Sequence, residues 1–238
     1  MSTDSPLIVF VHTPKAAGST VIGALESIGP GKGHMESLRK DEKAFLQTAT
    51  SSTWISGHIA INEFKRRLAP LDRPVRYFTA MREPTAQVMS HYNWLIEIYF
   101  KGDKFYQNHP EAIKRISKRL RDSDRSKPAV VVANLRKHPR LFLNFQSRFV
   151  LGHDFAESEV GIDEALDTYD FISDGTDVDA LLDAMSSGLT SERRRNVSRY
   201  HFDPRVFRRP AVKRFLTNSN NEDEQLYERL RERKGSAT

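Results

Sequence analysis

The chain has 238 residues, 38% of them hydrophobic and 29% charged, enough to bury one substantial core and short enough to read as a single domain spanning 1–238. A formal charge of +6 suits anionic ligands, and the absence of cysteine excludes a disulfide framework and a thiolate metal site. No run approaches the roughly 20 apolar residues of a membrane span, and no basic-then-apolar leader opens the chain.

Leu7-Ile8-Val9-Phe10-Val11 reads as a buried strand over 7–11 and runs directly into His12-Thr13-Pro14-Lys15-Ala16-Ala17-Gly18-Ser19-Thr20. Val21, Ile22 and Leu25 then recur at helical spacing and predict a helix over 19–28. A loop between a strand and a helix N-terminus aims backbone N–H groups and the positive end of the helix dipole at one point, which favours phosphate-like groups. Gly18 permits close backbone approach, Ser19 and Thr20 add hydroxyls, and Lys15 adds a charge. In nucleoside-triphosphate P-loops the lysine follows the last glycine, as GxxxxGK[ST]. Here Lys15 precedes Gly18 by three positions, which argues against ATP and GTP. Read alone, Gly-Ser-Thr after a strand also fits a tight turn with a helix N-cap.

A second strand is expected over 53–57, ending in Gly57-His58, with a helix over 59–68. A third, over 75–81, ends in Arg82-Glu83-Pro84, and Pro84 is placed to open a helix over 84–100. Val88, Tyr92, Leu95, Ile96 and Tyr99 share one face of that helix. Further helices are expected over 110–121, 128–137, 177–187 and 219–233, with a late strand over 169–173. Alternating strands and helices imply a parallel sheet covered on both faces. A strand ending in Gly-His can present its imidazole at the carboxyl edge of such a sheet, where ligands of open α/β folds bind. The same histidine also reads as a structural one, hydrogen-bonded at a strand end.

The 12–20 segment resembles the 5′-phosphosulfate loop, H-x-P-K-[TA]-[AG]-G-[ST]-[ST], of sulfotransferases that use 3′-phosphoadenosine 5′-phosphosulfate (PAPS). The branch is the glycan-modifying one, similar to heparan sulfate 2-O-sulfotransferase-like enzymes. Arg82-Glu83-Pro84 with Ser90-His91-Tyr92 fits that family's R-[DE]-P-x₅-S-x-[YF] segment, and Gly57-His58 its Gly-His after the second strand. The resemblance implies a P-loop-like three-layer α/β/α sandwich with a central parallel sheet, the sulfotransferase fold. It implies that Thr13, Lys15, Ala16, Ala17, Gly18, Ser19 and Thr20 bind the 5′-phosphosulfate and that Arg82 and Ser90 bind the 3′-phosphate. His58 is then the general base, Lys15 stabilises the charge that grows on the leaving 5′-phosphate, and Ser90 holds Lys15 back from the sulfate until the acceptor binds. Arg194, Asn196 and Ser198 loosely resemble a late basic loop that folds over the nucleotide. The implied reaction moves a sulfuryl group from PAPS to a hydroxyl of a carbohydrate or glycolipid acceptor and releases 3′-phosphoadenosine 5′-phosphate (PAP).

No His/Asp/Glu cluster has metal-ligand spacing along the chain, so a metal-free mechanism is expected. The eukaryotic glycan enzymes of this family carry an N-terminal membrane anchor; with Met1 close to the first strand, a soluble bacterial enzyme of the cytoplasm is expected instead. Ser173-Asp174 departs from the family's usual Val-Gly after the late strand. Asn144-Phe145-Gln146-Ser147-Arg148 resembles a family segment near the active-site cleft. Gln146 and Arg148 therefore read as contacts to acceptor or sulfate, or equally as an ordered polar loop tying two helices.

Positive charge is unevenly placed. Arg193 to Arg214 carries nine Lys or Arg against Asp203 alone, and Lys101 to Lys127 carries nine against four acids. The second block reads as well as a solvated helix face. Two other classes are compatible with parts of the sequence: a P-loop-type kinase, and a nucleic-acid-binding module in which Tyr200, Phe202, Phe207 and Phe215 interleave with the late basic run. No nucleic-acid partner is expected under the sulfotransferase reading.

Overall fold

The structure, a computed structural model, describes residues 5–152, 160–190 and 199–236. Its first half runs β1 (Leu7–Val11), α1 (Gly18–Leu25), β2 (Gly31–Lys32), α2 (Glu42–Ser51), β3 (Trp54–Gly57), α3 (Ile61–Leu68), β4 (Val75–Ala80) and α4 (Pro84–Phe100). There follow α5 (Asp103–Gln107), α6 (Glu111–Asp122), α7 (Pro128–Lys137), α8 (Pro139–Phe142), α9 (Phe145–Val150), α10 (Ile162–Leu166), β5 (Phe171–Ser173), α11 (Val178–Met185), α12 (Pro210–Ser219) and α13 (Asn221–Gly235). The described residues fall into two compact units, one drawn from Met1–Glu83, Gln146–Asn196 and Gln225–Thr238, the other from Pro84–Phe145 and Val197–Glu224.

The first unit is α/β. Its five strands lie in the order β2-β3-β1-β4-β5 and every pair is parallel. β1 is central, and all five of its residues are buried because both faces of the sheet are covered. Leu7, Val9 and Val11 enter a core with Phe45 of α2, Phe64 of α3 and Leu226 of α13. Ile8 and Phe10 point the other way, to Val21 and Leu25 of α1 and Leu181 and Leu182 of α11. The period-2 alternation of a strand thus divides one apolar run between two helical layers. In register, Val11 lies beside Gly57 of β3 on one side and Thr79 of β4 on the other. The loops after these three strands therefore start side by side at the carboxyl edge.

The second unit is helical. Val88, Tyr92, Leu95 and Ile96 of α4 pack with Leu120 of α6, Val131 and Leu135 of α7, and Val212 and Leu216 of α12. The buried Asn134 donates through Nδ2 to Tyr92 Oη and Ser123 Oγ, both at 3.1 Å, and accepts from Arg119 Nε at 3.0 Å. Tyr99, expected on the core face, is instead 44% exposed near the end of α4, with the Arg121 guanidinium 3.6 Å from its ring centre. No helix among the described residues is long and apolar enough to cross a membrane.

Candidate functional site at the carboxyl edge of the sheet

The 12–17 loop leaves the end of β1 between two neighbours that tie it down. His12 N–H donates to Gly57 O at 3.1 Å, and Thr79 Oγ1 donates to Val11 O at 2.8 Å. Thr13 is fully buried, with its Oγ1 3.5 Å from Thr79 Oγ1 and its N–H bonded to Val11 O. Its side chain and N–H thus anchor the loop to the strands. Lys15 and Ala17 take left-handed backbone angles, φ 69° and 58°. Each such residue costs on the order of 1–3 kcal/mol, a strain that concentrates at ligand-binding turns. Helix α1 begins immediately, with Ala17 at the N-cap, no side-chain cap and no acidic residue in its first turn. The N–H groups of a helix N-terminus with no side-chain cap at its N-cap residue suit an external anion.

Gly18 has a second role that the sequence did not suggest. A Cβ there would sit 1.7 Å from Nε2 of His12, so the absence of a side chain makes room for the imidazole. That ring also packs against His58, with centroids 4.2 Å apart. Burial, reinforced by the nearby charges of His58, His34 and Lys15, holds the His12 imidazole well below the usual histidine pKa. His12 is therefore a neutral packing partner that brings the loop and the end of β3 together.

His58 follows β3 directly. Its Nδ1 lies 2.8 Å from His12 O. A carbonyl can only accept, so Nδ1 carries the proton and Nε2 keeps the lone pair. Burial lowers the His58 pKa, against the opposing pull of the His12 carbonyl and the Glu36 carboxylate. Glu36, in a short 3₁₀ turn at Met35–Leu38, accepts the His58 backbone N–H at Oε2 (2.9 Å) and lies 3.0 Å from His34 Nδ1 at Oε1. Burial works to raise that carboxyl, but hydrogen bonds from its own backbone and His34, with the His58 charge, leave it below the ordinary value. Gly57 makes this approach possible, since a Cβ there would meet Glu36 Oε2 at 2.7 Å. Glu36 and His34 were not singled out from the sequence: they reach His58 only through the pairing of β2 with β3, which no local pattern announces. Nor did any spacing along the chain reveal that ligand atoms of His34, Glu36 and His58 lie within 4.8 Å of one another.

Arg82 comes two residues after β4, and its peptide is gripped by Gln146. The Gln146 Oε1 accepts the Arg82 N–H at 2.9 Å, and its Nε2 donates to Arg82 O at 2.8 Å. Gln146 is fully buried, and its amide positions the Arg82 peptide. Gly175 completes the support, because a Cβ there would stand 2.9 Å from Met81 O.

Ser90 and His91 belong to the second unit. Ser90 is 2% exposed on α4, and the His91 ring packs among Trp94, Phe142 and Phe145. Arg194, Asn196 and Ser198 lie outside the described residues. The described part of the late basic run is not a loop throughout: Pro204–Arg208 is a 3₁₀ turn and Arg209 caps α12, with Val206, Phe207, Val212 and Leu216 buried. Its aromatics serve this core in part, with Phe207 packed on Tyr92. In the 101–127 block, Lys114, Lys118 and Lys127 pair with Glu111, Asp122 and Asp124, as on a solvated helix face.

The loop with Lys15, His58 with its Nε2 lone pair, and Arg82 thus stand at the ends of the adjacent strands β1, β3 and β4. Among known proteins, no family model matches the chain and no curated protein matches it.

Proposed function

We propose that the protein is a PAPS-dependent sulfotransferase that sulfates a hydroxyl of a carbohydrate or glycolipid acceptor, on a sulfotransferase-type α/β fold. The observation that supports this reading is the adjacency of the 12–20 loop, His58 and Arg82 at one sheet edge. PAPS carries anionic groups at both its 5′ and 3′ positions, and this edge offers two separate means of holding anions. One is the N-terminus of α1, which has no side-chain cap at Ala17, with Lys15; the other is Arg82 at the end of the neighbouring strand. Ser90 keeps its assignment to the 3′-phosphate from the sequence pattern alone.

When bound, the donor supplies an activated sulfuryl group. Lys15 and the N–H groups of the loop stabilise the negative charge that grows on the leaving 5′-phosphate oxygen, the kind of fixed donor set worth on the order of 10²–10³ in rate per donor. His58 accepts the acceptor hydroxyl's proton at Nε2 as that oxygen bonds to sulfur. Its Nδ1–H, held by His12 O, fixes the tautomer this requires. Burial keeps the ring neutral at pH 7, so the lone pair is available without a prior proton loss.

The test is transfer itself. The protein is incubated with PAPS and a panel of oligosaccharides and glycolipids, and products are read by mass spectrometry together with PAP release. The reading expects an acceptor to gain one sulfuryl group with the native protein and none with Lys15→Ala.

A further inference from the structure

We propose that His34, Glu36 and His58 form a binding site for one divalent transition-metal ion of the zinc type. Their ligand atoms lie within 4.8 Å of one another. Two imidazoles and one carboxylate are a donor set that suits zinc and leaves a fourth position open. The groups around them are those that orient metal ligands. His58 has its Nδ1–H committed to a backbone carbonyl, which directs the other ring nitrogen to a metal, as metal-bound histidines usually do. The Glu36 carboxylate is held in turn by the His58 backbone N–H at 2.9 Å.

The backbone favours the same cluster. His34 adopts φ 57° without being glycine, and its ring turns to the Glu36 carboxylate. The close approach of Glu36 to the end of β3 depends on Gly57. Zinc bonds of about 2.0–2.1 Å place tetrahedral ligands about 3.3 Å apart, so the cluster must contract by at most about 1.5 Å. The His34 side chain, 67% exposed, is the ligand with the most room to move. Resting on the proposed function, an ion held by His58 occupies the imidazole that would take the acceptor's proton, so a bound ion holds the transferase inactive.

The experiment is a titration of the full chain with Co²⁺, followed by its visible ligand-field absorption and by calorimetry, then displacement with Zn²⁺. One equivalent should bind with the intense absorption of a four-coordinate site, and Zn²⁺ should abolish it. His34→Ala and Glu36→Gln should each weaken binding by at least about tenfold. His34 is exposed, so His34→Ala should melt as the native protein does, and Glu36→Gln, which retains a carbonyl for the His58 N–H, should stay folded with a lower melting temperature. Absence of saturable binding, or an affinity unchanged in both variants, overturns the proposal. PAP affinity measured on the same samples reports separately on the sulfotransferase reading, since the metal titration requires neither donor nor acceptor.

Discussion

Gln146 holds the peptide of Arg82 from both ends, accepting its N–H at 2.9 Å and donating to its C=O at 2.8 Å. A single buried carboxamide therefore fixes the backbone from which the candidate 3′-phosphate arginine projects. Gln146→Ala strands both groups, at about 1–3 kcal/mol each if they stay dry. Melting should fall by about 2–4 °C per kcal/mol lost. PAP affinity should fall with it, and Gln146→Glu, which keeps the acceptor but sets a buried carboxylate oxygen against Arg82 O, should restore neither. Thermal scans and calorimetry on the two variants check this.

Gly18→Ala should destabilise by about 1–3 kcal/mol, the usual cost of overpacking, because its Cβ collides with the His12 ring. Adding His12→Ala should return much of that loss, giving a strongly non-additive double-mutant cycle by urea denaturation. Additive losses would mean that the glycine is needed for the backbone rather than for the imidazole.

Much of the fold was legible because β1, α4 and α7 announce themselves locally: an unbroken apolar run, and prolines that open two helices. β2 was not, since Gly31 and Lys32 are both exposed and carry no pattern. α2 buries only Phe45 and Ala49, too few to stand out from Lys, Gln and Thr neighbours. α12 was hidden by its charge: Arg208, Arg209, Lys213 and Arg214 drew the reading to a basic loop, although Pro210 at its start and Val212 and Leu216 four apart carry the helix signal. The site divides the same way. Lys15, His58 and Arg82 each follow a strand and could be read one motif at a time. Glu36, His34 and Gln146 act across 22, 24 and 64 residues, distances at which only the folded sheet brings side chains together.

Lys15 and His58 should separate binding from turnover. Lys15→Ala removes charge from the donor's own site and should lower both PAP affinity and transfer. His58→Ala should abolish transfer and leave PAP affinity nearly unchanged, because a base for the acceptor need not touch the nucleotide. If the His58 variant kept about a tenth or more of native turnover, where loss of a general base typically costs 10²–10⁴-fold, the base would lie elsewhere.

Burial lowers both His12 and His58 below the usual histidine pKa of about 6.5. The unfolded chain therefore takes up protons first as pH falls. The stability from keeping these rings neutral is whole above about 6.5 and is lost as pH drops through their folded values. Carboxylates such as Glu36, also lowered, add their loss only below about 4. Melting temperature should thus decline between pH 7 and 5, and less steeply in His12→Gln. Transfer should be flat across neutral pH and fall only below the ordinary histidine range.

Recognition of the 3′-phosphate is read directly by calorimetry of the native protein and Arg82→Ala with PAP, 5′-AMP and ATP with Mg²⁺. A charge-assisted hydrogen bond to the 3′-phosphate contributes about 1.5–3 kcal/mol, or roughly ten- to a hundredfold in affinity. PAP should bind at micromolar levels and outcompete AMP by that factor, Arg82→Ala should erase much of the preference, and ATP with Mg²⁺ should bind more weakly than PAP. Equal affinity for PAP and AMP in the native protein, or tighter binding of ATP with Mg²⁺, would contradict the sulfotransferase reading.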